Sequence, residues 1–304
     1  NTSLESLYTN YINHLKNSDR ISTASSYDSS LKSLSNYKAN QTIHDITPDF
    51  LMGYEKYMIK NGAQYTTIGI YLRPLRKLYN DAIIAGIVNS VDYPFKEYKI
   101  PASRKTKRSL LPVQIGSIVN YVPKTEAEEK AKDFWVFSYL SNGMNMKDIC
   151  NLTYGNIQGD FIVFYRAKTF NTNKGNLKAI KVPLSKMTKE VIKKWGNFNN
   201  SSKIKIFPFV KQNATAVEER TQVQTFTRCI NRQLKNIAKE LNLDIELSTY
   251  VARHCFATQL KRQGQNTELI GEMMGHTNKQ TTENYLGSFT DDKVETIPDL
   301  LMQF

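Results

Sequence analysis

Apolar residues in the first hundred positions recur at steps of three and four, which is the spacing of one face of a helix. Four such patterns predict amphipathic helices over about residues 4–15, 24–37, 47–61 and 65–86. Thr47-Pro48 has the sequence of an N-cap followed by proline in the first turn, and Pro74 is expected to kink the fourth helix. Residues 1–101 are therefore predicted to form a small helical domain.

The rest of the chain combines helical patterns with one short sheet. Helices are predicted over about residues 113–121, 126–140, 216–241, 248–262, 267–274 and 280–286. Residues 160–165 and 178–183 have the composition of strands, and residues 170–176 between them are typical of a turn. The two strands are expected to pair as an antiparallel hairpin. The predicted fold class is thus mostly α, with a small antiparallel sheet in the second domain.

Between the two regions, residues 102–109 contain no apolar side chain beyond one alanine, and we interpret them as a linker. The predicted domains are then 1–101 and 110–304. Four basic residues fall within five positions of the linker: Arg104, Lys105, Lys107 and Arg108. Such a segment would suit a tether that lies along a phosphate backbone, although a plain flexible linker has a similar composition.

The chain is strongly basic, with a formal net charge of +13. Residues 1–101 hold 11 Lys/Arg against 9 Asp/Glu, which leaves 30 of the 41 basic and 19 of the 28 acidic residues for positions 102–304. Basic side chains placed on phosphates release condensed counterions, so nucleic acid is the leading partner. A merely soluble basic protein is the alternative that composition leaves open.

The sequence has no apolar run of about 18 residues and no basic-then-apolar N-terminal segment, which argues against membrane insertion and secretion. We therefore expect a cytoplasmic protein with no membrane partner. Cys150, Cys229 and Cys255 are far apart and form no C-x-x-C pair, so we predict buried thiols rather than disulfides or a zinc site. A start at Asn1 rather than methionine suggests a fragment of a longer protein.

The chemically distinctive residues concentrate near the end of the chain. Arg253-His254 is the centre of a Tyr-x-x-Arg-His box, Gly275-His276 follows, and Tyr285 lies nine positions after His276. These motifs resemble the tyrosine recombinase (phage integrase) family, which has an arginine in a His-x-x-Arg-His box, a Gly-His pair and a tyrosine at this spacing. The resemblance implies a helical SAM-like core-binding domain, a mixed α/β catalytic domain, and site-specific cutting and rejoining of DNA.

These residue types also fit the chemistry of a phosphodiester in their own right. Such a bond needs an in-line nucleophile, cationic donors on its non-bridging oxygens and an acid for the departing hydroxyl. Tyr285 is the predicted nucleophile, and Arg253 is the predicted phosphate-binding cation because a guanidinium stays charged near neutral pH. His276 is expected to donate to a phosphate oxygen or to accept the tyrosine proton.

The resemblance also implies a lysine in or beside the predicted hairpin, where it would protonate the leaving 5′ oxygen. Lys168 is our first choice and Lys174, near the tip of the turn, is the second; either would otherwise be a nonspecific phosphate contact. Strand alternation is expected to direct Arg166 and Lys168 to the same face, so that both approach one phosphate.

Two positions depart from the family. Asn145 stands where the family has its first catalytic arginine, and its alternative role is to N-cap the helix that follows. Our hypothesis is that Arg166 supplies the missing charge. Tyr250 replaces the histidine of the box, where its neutral hydroxyl would position the phosphate or its ring would simply pack in the helix. Integrases of Bacteroidetes mobile elements resemble this chain in both departures.

The remaining expectations follow from the resemblance. The substrate would be double-stranded DNA in the bacterial nucleoid, with no small-molecule substrate, no metal and no other cofactor. A homotetramer would assemble on DNA, with the C-terminal tail of each protomer docked on a neighbour. Two alternatives stay open: a DNA-binding relative that lost catalysis with Asn145, and a type IB topoisomerase, which shares the chemistry.

Overall fold

The structure is a computed structural model that describes residues 2–102, 109–167, 178–276, 278–283 and 285–286. The chain divides into two compact units, Asn1–Lys105 and Thr106–Phe304. Each unit buries an apolar core of its own, as expected for segments that fold as separate domains.

The α-helices described in the first unit confirm the four predicted helical patterns. They are α1 (Leu4–Asn17), α2 (Ile21–Tyr37), α3 (Pro48–Lys60) and α4 (Tyr65–Ile84). The side chain of Thr47 accepts the backbone N–H of Phe50 at 3.1 Å and caps α3, as its sequence predicted. Helix α4 continues through Pro74 to Ile84.

Paired hydroxyl groups join the helices of the first unit. The hydroxyl of Tyr8 on α1 is fully buried and lies 2.8 Å from Oγ of Ser30 on α2. Ser30 in turn donates to the carbonyl oxygen of Tyr71 on α4 at 2.6 Å. Because a buried hydroxyl without a partner is costly, these bonds favour one arrangement of the three helices over others.

The second unit is also mostly helical. Its described helices are α5 (Pro112–Val119), α6 (Glu126–Leu140), α7 (Met146–Asn151), α8 (Lys186–Trp195), α9 (Ala216–Glu240), α10 (Thr249–Arg262), α11 (Thr267–Met273) and α12 (Lys279–Glu283). Helix α6 lies at the centre of the core, where Phe134, Trp135 and Phe137 are fully buried. The predicted class, a mostly helical chain with a small antiparallel sheet, is confirmed.

The described sheet is antiparallel and has three strands in the order β1 (Ile157–Gln158), β2 (Phe161–Phe164) and β3 (Ile180–Pro183). The predicted pairing of β2 with β3 is confirmed, and Ile162 opposite Val182 directs apolar side chains into the core. The two-residue strand β1 was not predicted, because two residues are too few to show alternation. The predicted turn at 170–176 lies outside the described residues.

The three cysteines differ in their exposure to solvent. Cys150 and Cys255 are buried, but Cys229 on α9 is exposed, so the prediction that all three are buried thiols is wrong for Cys229. Its position falls on the solvent side of a helix whose opposite side carries the buried Ile230 and Leu234. Within the described ranges, no helix has both the length and the apolarity needed to cross a membrane.

Candidate active site

Arg253 lies at the centre of the second unit's polar site, on α10. Only 3% of its surface is exposed, which excludes the alternative of an ordinary arginine on a helix surface. Nη1 donates to the carbonyl oxygen of Gly143 at 2.8 Å, and Nη2 donates to the carbonyl oxygen of Met274 at 2.9 Å. Nη2 also lies 2.9 Å from Nε2 of His276. Backbone oxygens from two loops thus fix the orientation of the guanidinium.

Two glycines allow these loops to approach. Gly143 has a φ of +63°, and a Cβ at this position would lie 2.8 Å from Cα of Arg253. Gly275 has a φ of +66°, and its Cβ would lie 2.3 Å from Cδ1 of Ile180 on β3. Both positions therefore require glycine for backbone conformation and for space.

The hydrogen bonds of His276 fix its tautomer. Arginine can only donate, so Nε2 of His276 accepts from Arg253 and the ring proton of the neutral imidazole is on Nδ1. Nδ1 lies 3.0 Å from Oγ1 of Thr282, which accepts that proton's hydrogen bond. The ring also stacks on Tyr285, with the ring centroids 5.2 Å apart and the planes inclined by 26°. His276 thus joins the arginine to the tyrosine.

Tyr285 lies in a turn and not in a helix. The sequence predicted a helix that includes it, but α12 ends at Glu283, and the N–H of Tyr285 donates to the carbonyl oxygen of Thr282 at 2.8 Å. The carbonyl oxygen of Tyr285 lies 3.3 Å from Nδ1 of His254 and accepts from Oγ1 of Thr258 at 3.5 Å. Two side chains of α10 therefore hold the backbone of the tyrosine, and only 8% of its surface is exposed.

The phenol of Tyr285 is surrounded by donors and positive charge. The hydroxyl of Tyr250 donates to its hydroxyl at 3.0 Å, and Cζ of Arg253 lies 5.1 Å from its ring centroid. Burial alone raises the pKa of Tyr285, but the bond from Tyr250 and the charges of Arg253 and Arg166 outweigh burial and lower this pKa. Burial, followed by the charge of Arg166, lowers the pKa of Arg253 to about 10, so it stays protonated at neutral pH.

Arg166 is nearly as buried as Arg253, with 7% of its surface exposed. It follows the end of β2 by two residues, so the prediction that strand alternation aims it is wrong. The side chain is instead directed from a loop into the unit, where its Cδ would lie 3.7 Å from a Cβ placed on Gly275. The structure therefore brings Arg166 to the loop that also carries His276.

Arg166 and Arg253 border the same small cavity, which has a volume of about 10 Å³, enough for one water molecule. The buried carboxylate of Asp148 borders it as well and accepts the N–H of Ala167 at 2.9 Å. Burial raises the pKa of Asp148, although the N–H of Ala167 and the nearby arginines oppose the shift. This arrangement places two arginines and one carboxyl group around one small cavity.

The two departures from the family's motif differ in their surroundings. Asn145 occupies the N-cap position of α7, as its alternative role expected, but its side chain makes no capping hydrogen bond. Tyr250, which is 45% exposed, points its hydroxyl at Tyr285. The hydroxyl contact favours a role at the site, although the ring of Tyr250 also packs against His254.

The other predicted site residues lie outside the described residues. They are Lys168, which precedes the predicted turn, Lys174 within that turn, and Arg104, Lys105, Lys107 and Arg108 of the linker. Their roles stay predictions.

Sequence reasoning missed four residues of the candidate site. His254 and Thr258 are four positions apart on α10 and contact the backbone of Tyr285, a spacing that places both on one helix face. Thr282 binds the ring of His276, and its position three before the tyrosine was the only signal. Asp148 had no local signal, since a single acidic residue in a helical turn is common.

Comparison with known proteins identifies the class. Residues 108–291 match the phage integrase family, and residues 3–100 match the phage integrase SAM-like domain. The chain therefore belongs to the phage integrase family, the tyrosine recombinases, with the SAM-like domain that the resemblance implied.

Individual relatives cover almost the whole chain. A tyrosine recombinase of Thermosipho africanus is 25% identical in an alignment of 301 residues that covers 97% of this chain and 98% of the relative. The tyrosine recombinase XerC of Thermodesulfovibrio yellowstonii is 23% identical in an alignment of 291 residues that covers 93% of this chain and 92% of the relative.

Solved structures of the family share the fold. The Tn1549 transposon integrase in complex with a circular intermediate DNA matches with a TM-score of 0.72 at 20% identity, over 98% of this chain and 99% of that chain. A lambda integrase dimer bound to a core site matches with a TM-score of 0.65 at 16% identity, over 93% of this chain and 95% of that chain. At these identities the likeness concerns the fold.

Proposed function

We propose that this chain is a site-specific DNA recombinase that cuts and rejoins double-stranded DNA through a 3′-phosphotyrosine on Tyr285. The observation that carries the proposal is the convergence of Tyr285, His276 and Arg253, which contact one another although 32 positions separate the first from the last. Membership of the tyrosine recombinase family and the excess of basic residues in the second unit support it.

The chemistry follows from the groups present. The oxygen of Tyr285 bonds to the phosphorus as the bond from phosphorus to the 5′ oxygen breaks; the tyrosine proton passes to water, and the 5′ oxygen takes a proton from Lys168 and departs as a hydroxyl. Arg253 neutralises charge on the non-bridging oxygens, because its guanidinium stays protonated at neutral pH and its Cζ lies 5.1 Å from the ring centroid of Tyr285. A second DNA hydroxyl then displaces the tyrosine, so the bond energy is retained and no nucleotide cofactor is consumed.

His276 acts as a positioning group in this arrangement. Its Nε2 lone pair accepts from Arg253 and its Nδ1 proton is donated to Thr282. Holding the arginine beside the tyrosine was not among the roles predicted for His276. Those two roles, donation to a phosphate oxygen and acceptance of the tyrosine proton, stay predictions.

Arg166 supplies the charge that Asn145 cannot provide. Two observations support this assignment: its burial, and its place on the same cavity as Arg253. Lys168, two residues further on, would protonate the leaving 5′ oxygen, with Lys174 as the second choice. The basic residues of the linker would contact the DNA backbone.

The proposal also covers the oligomeric state on DNA and the biological origin of the protein. Recombination joins two duplexes, so we infer a homotetramer on DNA, and a lambda integrase tetramer bound to a Holliday junction shares this fold with a TM-score of 0.67. The combination of Asn145 and Tyr250 supports an origin among integrases of Bacteroidetes mobile elements, with action in the bacterial nucleoid.

Capture of the covalent intermediate tests the function. The protein is incubated with fragmented bacterial DNA and denatured in detergent, and the DNA that stays attached is sequenced, with Tyr285→Phe in parallel. Recovery of DNA with the unmodified chain alone would support the proposal and reveal the site. Reversible binding without any adduct, including on nicked substrates that trap the intermediate, would instead show a catalytically impaired DNA-binding relative.

A further inference from the structure

A second tyrosine hydroxyl lies beside the nucleophile. Tyr250 is one helical turn before Arg253 on α10, and its hydroxyl donates to that of Tyr285 at 3.0 Å. Its ring packs edge-on against His254 at 4.7 Å and lies 5.8 Å from the ring of Tyr285, between centroids. The hydroxyl of Tyr250 thus belongs to the same group of contacts that holds the backbone of the nucleophile.

A purely structural role does not account for this position. Tyr250 is 45% exposed, and a tyrosine at such a site can pack its ring against its neighbours and still leave its hydroxyl in water. The hydroxyl is instead directed at the one oxygen that the proposed reaction uses.

We propose that Tyr250 is a positioning residue that holds the hydroxyl of Tyr285 in place and, by donating to its oxygen, stabilises the negative charge that develops there as the proton leaves. This inference rests on the proposed function and adds a role for a residue that departs from the family's motif.

The hydrogen bond from Tyr250 to Tyr285 affects the reaction because Tyr250 is the donor. A donor to the attacking oxygen favours the phenolate over the phenol, and Tyr250 keeps its own proton throughout the step. Burial, followed by the bond to Tyr285, raises the pKa of Tyr250, so this donor stays protonated across the physiological range. The proton of Tyr285 must therefore leave toward another group.

A histidine at this position would behave differently, because imidazole titrates near pH 6.5. The groups that face Tyr250 are Tyr285, Arg253, Arg166 and His254, whose ring packs edge-on against that of Tyr250. Tyr250 is thus expected to make the donor independent of pH between about 6 and 9.

The first test measures the nucleophile directly in the DNA-free protein. Tyrosine labelled with ¹³C at Cζ reports phenol ionisation by NMR, and Tyr285→Phe assigns the signal. We expect Tyr250→Phe to raise the pKa of Tyr285 by about one pH unit, the size of a typical lost hydrogen bond to the charged form. Tyr65→Phe is the control, since Tyr65 is 50% exposed and lies in the other unit. An unchanged titration in Tyr250→Phe would overturn the proposal.

The second test uses the DNA recovered in the adduct experiment. Tyr250→Phe is expected to slow adduct formation about tenfold without weakening DNA binding, whereas Tyr250→His should retain cleavage but add a pH dependence centred near 6.5. Cleavage by Tyr250→Phe at the unmodified rate would contradict the proposal. Absence of any adduct with the unmodified chain would refute the proposed function, and the NMR titration would still decide the role of Tyr250.

Discussion

Two guanidinium groups, Arg253 and Arg166, border one small cavity, whereas the family's motif has its first arginine at the position of Asn145. If Arg166 replaces that arginine, Arg166→Ala should slow adduct formation by roughly a hundredfold, since loss of one charged donor to a developing negative charge has about this cost. Arg253→Ala should abolish it. The measurement is the single-turnover rate on the recovered DNA.

The matched variant for this prediction is Asn145→Arg in the Arg166→Ala background. It returns the charge to the family's position and is expected to recover part of the lost rate. Full activity of Arg166→Ala alone would show that Arg166 has no part in charge stabilisation.

The hydrogen bond from His276 to Thr282 gives a second prediction. Thr282→Val keeps the shape of the side chain but removes the acceptor for the Nδ1 proton, so the tautomer that lets Nε2 accept from Arg253 is no longer favoured. We expect adduct formation to fall about tenfold. Thr281→Val is the control because Thr281 is exposed on the same helix. Equal rates for the two variants would contradict a role for Thr282.

For single residues, the sequence predicted the candidate catalytic groups better than it predicted the residues that hold them in place. Arg253, His276 and Tyr285 could be found because their spacing along the chain is characteristic. The contact of Tyr250 with the nucleophile could not be found, since it depends on a turn that brings together residues 35 positions apart. The wrong assignment of Arg166 to a strand had a similar cause, because strand ends are set by pairing across the sheet.

The close approach of the loop around Gly143 to α10 requires a glycine, and substitution of that glycine tests this requirement. Gly143→Ala would place a methyl group 2.8 Å from Cα of Arg253 at a φ of +63°. Backbone strain together with the clash should lower the free energy of unfolding by about 2–4 kcal/mol. Urea denaturation followed by circular dichroism measures this loss.

Gly159→Ala is the control that measures the cost of backbone strain without a steric clash. Gly159 has a similar φ of +59°, but a Cβ there meets nothing within 4 Å. Its substitution should cost only about 1 kcal/mol. Equal losses for the two variants would mean that the contact with Arg253 is unimportant for stability.

The helices themselves were largely predictable, and the exceptions have physical reasons. Glu126–Leu140 agrees with its predicted range because an apolar stripe follows a capping threonine, Thr125, whose side chain accepts the N–H of Glu128. Helix α8, Lys186–Trp195, was missed although Ser185 caps it in the same way, because it buries few of its residues. Helix α12 is only five residues long, so its end was set by the contacts of Tyr285 and not by propensity.

Across the whole molecule, the net charge of +13 predicts DNA binding that weakens steeply with salt. Replacing Arg104, Lys105, Lys107 and Arg108 by alanine should reduce the slope of log K against log[salt] by about 0.9 for each phosphate contact that is lost. Fluorescence anisotropy with a labelled duplex at several salt concentrations measures the slope.

Exchanging lysine for arginine at the same four positions keeps the charge and serves as the control. The slope should then be unchanged, because counterion release depends on charge and not on side-chain geometry. If the alanine variant has the slope of the unmodified chain, the linker does not lie on the phosphate backbone and acts as a flexible connection.

The central claim is that Tyr285 is the residue joined to DNA, and peptide mass spectrometry of the captured adduct tests it most directly. After nuclease and trypsin digestion, the nucleotide-bearing peptide identifies the attachment site, and Tyr250 provides a built-in comparison because its hydroxyl lies only 3.0 Å away. Cleavage sites such as Arg253 and Lys279 place the two tyrosines in different peptides. We predict that the nucleotide is attached to Tyr285 alone; attachment to Tyr250 or to any other tyrosine would contradict the account.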